Sequence, residues 1–126
     1  ASRTIVIGFS QGATVALDLA RAQPDLMSIV VSYSGQLASR LRSGERIGAT
    51  IHLLHGGLDS VVPVEHARRA LRDLLAVGVR ATLDLTETGG HTIGQDMIIL
   101  GTTRAMQSVF RGRRRMPSGM PKNTLH

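Results

Sequence analysis

The chain has 126 residues, 42% of them apolar, and no cysteine; this allows one domain with a real core and excludes disulfides, a thiol nucleophile and cysteine-ligated zinc. Its formal net charge of +6 is unevenly spread: residues 1–103 hold nine Arg and all nine acidic residues, whereas residues 104–126 add five Arg and one Lys with no acid. No apolar run approaches the roughly 18 residues of a membrane span and no charged stretch precedes an apolar one at the start of this sequence, so the expectation is a soluble, cytoplasmic protein, although the lack of cysteine fits either side of a membrane.

The chain opens ASRTIVIG, without Met and almost directly in a β-like run, which suggests that a preceding portion has been removed or left out. That run, TIVIGF at 4–9, is β-branched and apolar, and predicts a strand buried on both faces. From 11 to 22 a polar stripe of Gln11, Thr14, Asp18 and Arg21 runs down an otherwise apolar segment stopped by Pro24, which predicts a largely buried helix. SIVVSY at 28–33 and TIHLL at 50–54 repeat the signature of a doubly buried strand. Between them, 36–48 is polar and irregular, with one helical turn expected around Leu37 to Leu41. Over 63–77 the apolar positions Val64, Ala67, Leu71, Leu74 and Leu75 make one helix face, with Pro63 suited to the first turn and Gly78 to the stop. RATLDLT at 80–86 alternates, predicting an edge strand with one wetter face. A last helix is expected over 94–110, interrupted by Gly101, and residues 111–126 read as a basic, disordered tail beyond a domain at 1–110.

Strands alternating with helices at this spacing predict an α/β fold: a three-layer arrangement around about four parallel strands, with ligands at the carboxyl ends of the strands. At the first of those ends stands GFSQGA. A Gly-x-Ser-x-Gly string is weak evidence alone, but this one closes a predicted strand and opens a predicted helix. Such a turn lifts the serine hydroxyl above the sheet, with Gly8 and Gly12 relieving crowding on either side of Ser10. A serine is a poor nucleophile without a base, and the base needs an acid to fix its tautomer. LLHGGLDSVVP places Asp59 just beyond the third strand, and TETGGHTIG places His91 just beyond the fourth, in the order Ser, Asp, His.

The other candidates have structural explanations. His52 lies inside a strand, His55 sits at a strand end and supports the following Gly-Gly turn, His66 is on a helix, and His126 is terminal. Asp84 points sideways from a strand, Asp18 belongs to a helical polar face, and Asp73 to a surface stripe with Arg69 and Arg72. No His or carboxylate pairing has the spacing of metal ligands.

IGFSQGATVAL, IHLLHGGLDSVVPVEHA and TLDLTETGGHTIGQDM resemble the small carboxylesterases of the phospholipase/carboxylesterase and acyl-protein thioesterase branch of the α/β-hydrolases, over residues 3 to about 110. The resemblance implies a serine esterase with Ser10 as nucleophile, Asp59 as acid and His91 as base, the Gln11 backbone N–H as one oxyanion donor, short or medium acyl esters or thioesters as small-molecule substrates, and no cofactor. The family's His-Gly-x-Gly loop, which supplies a second oxyanion amide, has no counterpart here, and the likeness covers only the C-terminal half of the family's domain, so a partial domain is expected. Two other classes compete with this one. The chain could be a non-catalytic remnant or interaction module needing an upstream partner segment. A nucleic-acid role for the basic tail is argued against by the lack of any aromatic residue after Phe110 to stack on bases. By family resemblance, the strands that pair with 4–9 all lie on one side of it. Its free edge is expected to dimerise or aggregate.

Overall fold

The computed structural model describes residues 4–86, 90–91 and 94–115. Its elements in chain order are β1 (Ile5–Phe9), α1 (Gln11–Ala22), β2 (Ile29–Tyr33), β3 (Thr50–Gly56), α2 (Val64–Ala76), β4 (Ala81–Thr86) and α3 (Gln95–Arg115). The four strands form one sheet in the order β1-β2-β3-β4, every pair parallel, with Ile5 opposite Ile29, Ile29 opposite Thr50 and Ile51 opposite Ala81. Alternate residues of each strand serve opposite faces. Val30, Ile51 and Leu53 meet Ala16, Leu17 and Ala20 of α1 and Ala70 and Leu74 of α2 on one face. Ile29, Val31, Tyr33 and Leu54 meet Met97 and Ala105 of α3 on the other. The result is the expected three-layer arrangement around four parallel strands.

β2 and β3 are buried on both faces, as their composition predicts. β1 is not: Ile5, Ile7 and Phe9 are 41%, 64% and 39% exposed. β1 lies at the end of the sheet, and α3 packs on β2 and β3 rather than over it. Among the described residues no layer therefore covers the apolar side of β1, which faces outward. Val15 and Leu19 on α1 are exposed too, so that helix is only half buried.

β4 departs differently. Its alternation is real, but neither side is markedly wetter: all six residues are half-buried, and the polar side is bonded to neighbouring elements. Asp84 accepts two hydrogen bonds from Arg104, at 2.9 and 3.0 Å, and Thr82 and Ser108 flank the His52 ring at 2.7 Å on either nitrogen. Gly101 lets α3 descend onto the sheet, since a Cβ there would overlap Tyr33 Oη. α3 continues to Arg115, past the expected end at Phe110, and the remainder of the expected tail, 116–126, lies outside the described residues.

α2 ends as predicted at Gly78, whose φ of 82° closes a Schellman motif: Val79 N–H donates to Leu74 O and Gly78 N–H to Leu75 O. Two side chains on it are placed otherwise than expected. Leu75 is 53% exposed, and Asp73 is buried, taking a bidentate bond from Arg40 at 2.8 Å to each oxygen. That pair belongs to the organisation of 36–48, which has no helical turn. Arg21 of α1 donates to the carbonyls of Ser39 and Arg40 and to Glu45, so side-chain guanidinium takes the place of helix amides, while Leu37 and Leu41 pack on the core.

Burial pushes His52 down to about 4, reinforced by the nearby positive charges of Arg111 and Arg104. Below its unfolded value of 6.5 the unfolded chain takes up a proton that the folded chain refuses until about 4. Stability therefore holds above that unfolded value and is lost as pH falls toward the folded one. Urea unfolding at successive pH values should show a loss of up to about 3 kcal/mol across this window. His52→Gln, which keeps donors between Thr82 and Ser108 without titrating, should flatten it.

Candidate active site

β1 hands over to α1 within a single residue. Ser10 adopts φ 54° and ψ −117°, a positive-φ conformation costly for a residue with a Cβ. Neighbouring bonds hold it there: its N–H donates to Tyr33 O at 2.7 Å, and its carbonyl accepts from the N–H and hydroxyl of Thr14. Gly8 makes the turn possible, since a Cβ would come within 2.7 Å of the Ala13 backbone. A Cβ at Gly12 would meet nothing within 4 Å among the described residues, so the expected crowding is found on one side of Ser10 only. Although Ser10 is the N-cap of α1, its hydroxyl makes no cap bond. Gln11 opens the helix, where its N–H has no intrahelical acceptor and lies at the positive end of the helix dipole.

The Ser10 hydroxyl points instead to His91, with Oγ 2.7 Å from Nε2. The other ring nitrogen, Nδ1, lies 2.7 Å from Asp59 Oδ2. Because a carboxylate only accepts, Nδ1 carries the proton and Nε2 is left to receive the serine O–H. The structure thus brings together Ser10, His91 and Asp59, from the loops after β1, β4 and β3, in one hydrogen-bonded line. Residues 87–89 and 92–93 on either side of His91 lie outside the described residues.

The Asp59 side chain has no solvent exposure. Burial pushes its carboxyl up. The opposing donors, His91 first and then the N–H groups of Val62 and Val61 at 2.8 and 2.9 Å on Oδ1, outweigh that and hold it below the ordinary value of 3.8. His91 is partly open, its side chain 20% exposed, so a reactant can reach Nε2 while the acid stays dry.

Two contacts were not legible in the motif. The Phe9 ring packs on the imidazole of His91, centroids 5.2 Å apart. His55 donates through Nε2 to Val62 O at 2.6 Å and lies 3.4 Å from Asp59 Oδ2. Its position four residues before Asp59, across a Gly-Gly turn, was the available signal. The remaining candidates are engaged elsewhere: His52 between β4 and α3, Asp84 with Arg104 and Asp73 with Arg40. Among the described residues no group of three or more His, Asp or Glu could hold a metal ion, and no helix is long and apolar enough to cross a membrane.

The family model for Phospholipase/Carboxylesterase matches residues 1–101. Esterase YpfH of Escherichia coli (strain K12) is 43% identical over 93 residues, covering 74% of this chain and 40% of that protein. Among solved structures, esterase PE8 superposes with a TM-score of 0.76 at 34% identity, over 82% of this chain and 49% of that one. Arabidopsis thaliana SOBER1, at a TM-score of 0.74 and 20% identity over 83% of this chain and 52% of that one, shares the fold. The chain spans about half the length of these relatives or less. On this match along most of its length, with a parallel sheet carrying a serine at the strand-to-helix turn, the chain belongs to the phospholipase/carboxylesterase family of α/β-hydrolases.

Proposed function

We propose that this chain carries the reacting groups of a serine esterase that cleaves short or medium acyl esters, or thioesters, of small molecules. The observation that supports it most is the line Ser10 Oγ, His91 Nε2, His91 Nδ1, Asp59 Oδ2, with both hydrogen bonds at 2.7 Å. Ser10 Oγ attacks the acyl carbonyl as its proton passes to His91 Nε2, and the imidazolium so formed is stabilised by the Asp59 carboxylate. The carbonyl oxygen becomes an oxyanion beside the start of α1, where the Gln11 N–H donates to it. Collapse expels the alcohol or thiol, which takes the proton back from His91, and leaves an acyl group on Ser10. Water, deprotonated by His91, then releases the acid by the same steps in reverse.

A fluorophosphonate probe tests the assignment directly. It should modify Ser10, and Ser10→Ala should abolish the modification. Asp59→Asn should slow it by on the order of 10⁴-fold, because an amide N–H facing Nδ1 turns the imidazole to the wrong tautomer. Modification that survives Ser10→Ala contradicts the assignment.

The turn makes an asymmetric prediction. Gly8→Ala drives a Cβ into the Ala13 backbone; it should destabilise the fold by about 1–3 kcal/mol and suppress modification of Ser10. Gly12→Ala meets open space within α1, and should change stability by less than about 1 kcal/mol, in the favourable direction. Denaturant unfolding of the two variants separates them.

The exposed side of β1 favours a second reading alongside the first, association through residues 4–9. Ile5, Ile7 and Phe9 are exposed beside strand N–H and C=O groups that, among the described residues, no further strand pairs. Sedimentation at micromolar concentration should show self-association that Ile7→Lys weakens. A monomer unaffected by that substitution removes this reading.

A further inference from the structure

The turn that carries Asp59 is closed by a histidine outside the Ser10, His91, Asp59 line. His55 is 1% exposed, near the end of β3, and its Nε2 lies 2.6 Å from Val62 O, seven residues on. A carbonyl only accepts, so Nε2 carries a proton and donates it. The same nitrogen is 3.4 Å from Asp59 Oδ2, the oxygen that receives His91 Nδ1–H. From the far side of the loop, the N–H groups of Val61 and Val62 fill Oδ1, and Asp59 N–H donates to Gly56 O.

We propose that His55 is a positioning residue for Asp59: by tying the Val62 carbonyl back to β3, it fixes the peptide groups that aim the carboxylate at His91. This rests on the reading of Ser10, His91 and Asp59 given above. Without that tie the buried Val62 carbonyl loses its partner, and the turn relaxes to find another. The two amides on Oδ1 move with it. The carboxylate then loses its orientation, although Asp59 and His91 are both still present. A side chain of similar size that only fills space does not restore this. A glutamine does, because its amide nitrogen reaches the position of Nε2.

The test uses His55→Leu, His55→Asn, whose shorter amide stops before Val62, and His55→Gln, each checked for a cooperative unfolding transition. The Asp59 carboxyl is titrated by carbon NMR, and the rate of fluorophosphonate modification of Ser10 is measured at one pH. With Leu or Asn, Asp59 should titrate closer to its ordinary value of 3.8, since the Val61 and Val62 donors have shifted. Ser10 should react on the order of 100-fold more slowly, as misplacement of a reacting group by an ångström does. Gln should restore both. If Leu does not fold, Asn carries the comparison with Gln. An Asp59 titration unchanged in folded Leu or Asn variants overturns the inference, as does a folded Gln variant that behaves like them. If the wild-type Ser10 does not react with the probe at all, the esterase reading fails, while the Asp59 titration still decides the role of His55.

Discussion

Removing a carboxylate from water costs several kcal/mol unless its oxygens are met by donors, and the solvent-free side chain of Asp59 sets this requirement for the molecule. Much of the carboxyl end of the sheet can be understood as answering it. The turn after β3 supplies the N–H groups of Val61 and Val62, His55 of β3 holds that turn through the Val62 carbonyl, and the loop after β4 supplies His91. The last of these has consequences beyond the acid. Once Nδ1–H is committed to Asp59, Nε2 is available only as an acceptor, and the acceptor meets the Ser10 hydroxyl. A buried charge on one strand end thus determines the proton arrangement on a side chain two strands away.

The elbow at Ser10 answers a second demand, made by geometry. β1 must turn into α1 without a loop, so the serine carries the strain and its neighbours hold it in place. The bond from Ser10 N–H to Tyr33 O ties the turn to β2, and the neighbouring Ser34, also at positive φ, is tied in turn to Leu54 of β3. The strained residue is therefore over-determined by the two most deeply buried strands. Gly8 gives the close approach that lets the first turn of α1 sit over β1, with the helix amides at the place where negative charge would develop.

What the sequence reveals is what is local. Each strand end and each loop residue could be read from runs of five or six side chains, which is why the places of Ser10, Asp59 and His91 were legible along with the parallel direction of the strands. What stayed hidden depends on what a segment packs against. IVIGF reads alike whether or not a layer covers it, so the exposure of Ile7 was not foreseen. Asp73 looked like a surface residue because its partner, Arg40, stands 33 positions away in a segment with no periodic signal. The polar side of β4 looked wet because nothing local announces that Arg104 of α3 will meet Asp84 or that His52 of β3 will meet Thr82. Gly12 fits the motif, but open space beside it among the described residues shows that, of the two motif glycines, Gly8 is the one sterically required.

The esterase chemistry proposed for this chain requires that Ser10 become covalently acylated. Mass spectrometry of the chain mixed with p-nitrophenyl butyrate and quenched in acid is the most direct measurement. Such chemistry should place one added butyryl group on the peptide that contains Ser10, appearing with release of nitrophenol and then decaying as water attacks. Ester cleavage with Ser10 unmodified throughout, or butyryl transfer to another side chain, would contradict it.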